Sequence, residues 1–154
     1  MQLQRDARSI ITIDRPSTFK PGFVSPGCSV WWQDERALQA TEIDPGDVEL
    51  VQLPRHPRSR VLGRWRSTPN GFTPLDTGVF QVLWEEPWLI PESWQKLTCN
   101  TTTFVFFDGT VIQTSQGNLV VVCLGYLNGH WRWSCRPYDE RRICNQVSAM
   151  LRVA

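Results

Sequence analysis

The sequence has no apolar stretch that would cross a bilayer as a helix. Its longest apolar run, residues 119–127, falls far short of the roughly 20 residues a spanning helix needs. Excess charge is also lacking: 16 basic against 15 acidic side chains leave a formal +1, which excludes a polyelectrolyte. Histidine is scarce. Neither His56 nor His130 has a second ligand at helical or hairpin spacing, so no metal site is expected. The five cysteines, Cys28, Cys99, Cys123, Cys135 and Cys144, form an odd set without a CxxC pair, which disfavours a disulfide framework or a zinc ribbon and suits small buried thiols. GxSxG, HExxH, GxGxxG and GxxxxGK[ST] are all missing, and no cofactor is expected. Cys123 and His130 share a strand face, but about 13 Å of strand separates them, too far for a nucleophile and its base. The adjacent carboxylates Glu85-Glu86 and Asp34-Glu35 point apart on helix or strand and read as solvated surface.

What is present is an ordinary core-forming composition, 41% hydrophobic and 11% aromatic over 154 residues, enough for one domain spanning 1–154. Arg5, Asp6 and Arg8 interrupt the N-terminus where a secretory signal would be apolar, so the expected location is the cytoplasm, with no membrane partner.

Residues 1–74 are cut by eight prolines into short extended pieces. Strands are expected at 9–14 (SIITID), 28–33 (CSVWWQ) and 48–53 (VELVQL). Residues 35–43 contain helix formers, yet the Pro45-Gly46-Asp47 turn signal favours a strand that pairs with 48–53 as a hairpin. In the helical segment 75–95, Asp76 or Thr77 can cap, and Val79, Phe80, Leu83 and Trp84 recur on one face. Pro87 stops that helix, Pro91 opens a second short turn, and Trp84, Trp88 and Trp94 are expected to crowd one region as packing groups. The tail 138–154 reads as a short helix, with Ile143, Val147 and Met150 or Leu151 on its apolar side.

Residues 102–137 read as a four-stranded meander turning at Asp108-Gly109, Gln116-Gly117 and Asn128-Gly129. Two-residue turns would set Tyr126 opposite Trp131, Leu124 opposite Trp133, Val122 opposite Cys135, Val111 opposite Val122 and Phe106 opposite Val111. One face then collects Phe104, Phe106, Val111, Val122, Leu124, Tyr126, Trp131, Trp133 and Cys135 under the helix. The other carries Val105, Phe107, Ile112, Leu119, Val121, Cys123, His130, Arg132, Ser134 and Arg136. Its apolar end needs a cover from the N-terminal strands or another subunit. The expected fold class is α+β: a twisted antiparallel four-stranded meander, one main helix packed on it, and short N-terminal strands.

The run WLIPESW (88–94), then FVFFDGT (104–110), then GHWRW (129–133) and a closing VSAML resembles a set of small uncharacterised bacterial proteins. The similarity takes in WWQDERALQATEIDPGDVELV (31–51) and so extends over most of the chain. It implies a natural bacterial domain, and no activity, cofactor or functional residue.

Two surfaces qualify for binding. Arg55, Arg58, Arg60, Arg64 and Arg66 form an acid-free basic run with His56 inside it and Trp65 as a stacking face, as polyanion or single-stranded nucleic-acid binding would use. Against it, residues 34–49 hold six acids and only Arg36, so the two blocks can neutralise each other. The second surface is HWRWSCR, where His130, Arg132 and Arg136 point away from the core. Gly125 opposite Arg132 leaves room there for a guanidinium or a ligand backbone. The leading reading is a non-enzymatic binding or protein-interaction module, its partner an unknown protein or a second copy. The alternatives are a nucleic-acid or polyanion binder using residues 55–66 with Arg132 and Arg136, and an enzyme whose scattered site no motif reveals.

Overall fold

The computed structural model describes residues 10–15, 23–52, 68–99, 103–138 and 147–153. Along them run β1 (Ile11–Thr12), β2 (Ser29–Gln33), α1 (Glu35–Leu38), β3 (Glu42–Ile43), β4 (Val48–Val51), β5 (Phe72–Pro74), α2 (Thr77–Glu85), α3 (Glu92–Thr98), β6 (Val105–Phe106), β7 (Thr110–Gln113), β8 (Leu119–Leu127), β9 (His130–Pro137) and β10 (Val147–Arg152). The class is α+β, as expected, but the mostly antiparallel curled sheet has eight strands where the meander supplied four.

The hairpin of β8 and β9 has the expected register. Asn128 (φ 51°) and Gly129 (φ 80°) hold the left-handed backbone of a type I′ turn, and Leu127↔His130, Tyr126↔Trp131, Leu124↔Trp133 and Val122↔Cys135 follow. The other two turns differ. Thr114 N–H donates to the Asn118 carbonyl at 2.8 Å across Ser115, Gln116 and Gly117 (φ 84°), a connection one residue longer than the two-residue turn. Ile112 therefore pairs with Val120, and the one-residue slip reverses the faces of β7.

Asp108-Gly109 does not reverse the chain. β6 pairs with β8 (Val105↔Leu124, Phe106↔Cys123), and Phe107 N–H reaches the Val122 carbonyl at 3.0 Å, so β6 and β7 lie in line along one edge of β8. Gly109 serves close approach instead. Its N–H donates to the Leu75 carbonyl and its carbonyl accepts from Asp34, where a Cβ would fall 2.7 Å from the Pro74 oxygen.

With both strands reversed, Val105, Phe107 and Ile112 join Val122, Leu124 and the half-buried Trp131, Trp133 and Cys135 in the main core beneath α2. Phe104, Phe106 and Val111 move to the second face with Leu119, Val121, Cys123 and Tyr138, where Trp32 from the N-terminal β2 packs against them.

α2 begins at the expected cap: the Asp76 carboxylate accepts from Val79 N–H, and the helix buries Val79, Phe80, Val82 and Leu83 before Pro87 ends it. A 3-10 turn, Pro87–Leu89, leads to α3, which is a seven-residue helix where one turn was expected. The tryptophans do not form one packed group. Trp94 is 3% exposed and Trp84 half-buried, but Trp88 is 73% exposed on the 3-10 turn.

Two further expectations are corrected by pairings remote in sequence. Residues 35–43 supply α1 and β3, and β3 pairs with β1 rather than β4. Pro45–Asp47 is a 3-10 turn capped by Asp44. The end of the tail is a strand: β10 runs parallel to β6 and antiparallel to β4 and β5, and buries Ser148, Ala149 and Met150 in succession. A run buried on both faces reads alike as strand or helix, and partners on both edges decide it.

Candidate functional site

The basic surface on β9 is built by strand alternation. His130, Arg132 and Arg136 project from the face opposite Trp131, Trp133 and Cys135, and all three are exposed. Neither His130 nor Arg132 has an ion-pair partner among the described residues. The Arg136 guanidinium lies over the Phe104 ring, 5.4 Å from its centroid, a cation–π contact that holds the side chain against the sheet.

The space at Gly125, opposite Arg132, is taken by this chain. A Cβ there would stand 2.8 Å from two Phe104 ring atoms, so the ring fills the gap that was expected to admit a guanidinium or a ligand. We expect Gly125→Ala to push the ring outward, loosen the Arg136 contact and cost about 1–3 kcal/mol. Urea unfolding checks this, and a midpoint equal to wild type would mean that the ring turns aside freely.

The other predicted site residues, Arg55, His56, Arg58, Arg60, Arg64, Trp65 and Arg66, lie outside the described residues. Of the six acids expected to neutralise them, Asp34 binds Arg36 at 2.7 Å, Asp44 caps the Pro45–Asp47 turn, and Glu49 pairs with Arg152.

A buried polar assembly was missed by sequence reasoning. Arg15 donates to Asp76 at 2.6 Å and to the Ala37 and Ala40 carbonyls, one inside α1 and one just past its end. Gln33 donates to Asp76 and accepts from Thr110, whose hydroxyl oxygen also accepts from Thr77 N–H and Oγ1. Asp76 was legible as a cap. Its distant partners are Arg15 and Gln33, and Gln33 in turn holds Thr110; no local pattern connects these positions. The assembly binds α1, β2, β7 and α2 together, and its polar atoms bond one another rather than facing an open cavity.

Cys28, Cys99, Cys123 and Cys135 are free thiols. Burial, with nearby Cys28 adding to it, pushes the Cys135 thiol up to about 11, which keeps it protonated at neutral pH. It borders a cleft of about 780 Å³ beside the β7–β8 turn, lined by neutral groups including Ser25, Thr114, Gln116 and Asn118. Among the described residues no three His, Cys, Asp or Glu side chains converge as metal ligands, and no helix is long and apolar enough to cross a membrane.

Compared with family models, with curated proteins and with solved structures, the chain matches none.

Proposed function

We propose that this chain is a non-enzymatic protein-interaction module that meets an acidic partner along β9. The observation that carries the reading is the pair of exposed arginines, Arg132 and Arg136, on the outer face of an eight-residue strand that only β8 joins among the described residues. A guanidinium held over Phe104 has lost part of its rotamer freedom, so it binds a carboxylate at a smaller entropic cost than a free side chain.

Fluorescence anisotropy with labelled polyglutamate tests this. Wild type binds, and Arg132→Glu combined with Arg136→Glu weakens binding about tenfold, near the upper range for two cross-strand charge pairs. Equal binding by both proteins, or by neither, removes the reading. Single-stranded DNA separates the nucleic-acid alternative by magnitude. At about −0.7 in log–log salt slope per phosphate contact, the three basic groups of β9 account for about −2 at most. A steeper slope assigns additional contacts to other cations, such as the arginines of residues 55–66.

A further inference from the structure

Hairpin geometry determines which backbone groups of β9 are spare. A two-residue type I′ turn closes on a hydrogen-bonded pair, here Leu127 and His130, and bonded and non-bonded pairs then alternate. His130, Arg132, Ser134 and Arg136 thus turn their N–H and C=O toward β8. Trp131, Trp133 and Cys135 turn theirs outward. Among the described residues β9 pairs with β8 alone, and of these outward groups only the Cys135 carbonyl has a partner, the Ser134 hydroxyl at 3.5 Å. The result is a row of donors and acceptors on a strand roughly 27 Å long, ready to template another strand.

The side chains say which strand it admits. Arg132 and Arg136 flank this row on one face. On the other, half-buried Trp131 and Trp133 present an apolar border, extended by the Phe23 ring, which is 37% exposed and 5.3 Å from Trp133. A second copy of β9 fits poorly. Antiparallel self-pairing centred on Ser134 sets Arg132 against Arg136, and centred on Arg132 it sets Arg132 against its own copy; like charges directly opposite are destabilising. Cations that repel a copy of the same edge attract an acidic one.

We infer that β9 accepts an extended acidic segment of a partner protein as an added antiparallel strand. Two carboxylates four residues apart on that segment face Arg132 and Arg136, and the alternate positions carry apolar side chains against Trp131 and Trp133. This rests on the interaction-module reading and adds the binding mode.

The test uses a blocked, labelled peptide alternating valine with polar residues, its two glutamates four positions apart. A second peptide is N-methylated at the valines opposite Trp131 and Trp133, and a third has the glutamates on opposite faces. Strand addition predicts that saturating first peptide slows amide hydrogen exchange at Trp131, Trp133 and Cys135 at least tenfold. It also predicts that N-methylation and the displaced glutamates each weaken binding about tenfold. The exchange readout is made on wild type and does not depend on any variant folding. If the first peptide binds in an Arg132- and Arg136-dependent way but N-methylation and exchange show no effect, strand addition is overturned and the interaction surface stands. If neither this peptide nor polyglutamate binds, both fall.

Discussion

Gly109→Ala unfolds about 10 °C below wild type, the result expected of about 3 kcal/mol lost from a protein of this length. The added methyl would sit 2.7 Å from the Pro74 oxygen and 2.9 Å from the Leu75 carbonyl carbon and oxygen, all of them backbone atoms that cannot rotate away. Relief requires separating residues 74–75 from 109, which breaks the 2.9 Å bond from Gly109 N–H to Leu75 and strains the 2.8 Å bond from Asp34 N–H to the Gly109 carbonyl. Overpacking costs about 1–3 kcal/mol, and each weakened hydrogen bond adds about 1. Differential scanning calorimetry measures the shift. A melting temperature within a degree of wild type would show that this three-way junction is not tight.

Asp76→Ala is expected to cost about 3 kcal/mol. The substitution deletes the cap on Val79 N–H, worth about 1 kcal/mol, and strips a mostly buried Arg15 of its counter-charge, a loss that reaches about 3–5 kcal/mol when the cation is fully enclosed. Arg15 side-chain exposure of 16% and its surviving bonds to Ala37 and Ala40 place the total near the lower end. Asp76→Asn keeps an oxygen for the cap and recovers part of the loss. In a double-mutant cycle with Arg15→Met, the pair should show a coupling of at least 1 kcal/mol. A coupling near zero would assign Asp76 to the cap alone.

Both effects involve residues whose role is only partly visible in the sequence. Asp76 is a helix cap by its position before an apolar periodic run, and the sequence says so; that Arg15 lies against it depends on the chain returning across 61 residues. Asp108-Gly109 carries a strong hairpin signal, yet its glycine is used for backbone proximity. Turn propensity ranks local conformations, whereas the ladder offered by β8 can take β6 and β7 end to end and bury Phe107 and Ile112 under α2. The same holds for β10, where two sheet edges outweigh the helical pattern of VSAML.

The candidate surface was more legible than the fold. Alternation along HWRWSCR fixes which side chains face outward as soon as the Asn128-Gly129 turn is known, and both come from consecutive residues. Phe104 over Gly125 was not legible, because it depends on the reversed register of a strand encoded 20 residues earlier.

The sequence by itself determined the α+β class, the cap and buried face of α2, the type I′ hairpin and the basic outer face of β9. Each follows from interactions within a few residues, where periodicity and turn chemistry act directly. Only the tertiary structure decided the order of strands around β8 and β10, the faces of β6 and β7, the fate of the tail and the partners of Arg15. Those depend on which distant backbone ladders are available and how much apolar surface each choice buries, quantities that arise only when the whole chain is folded.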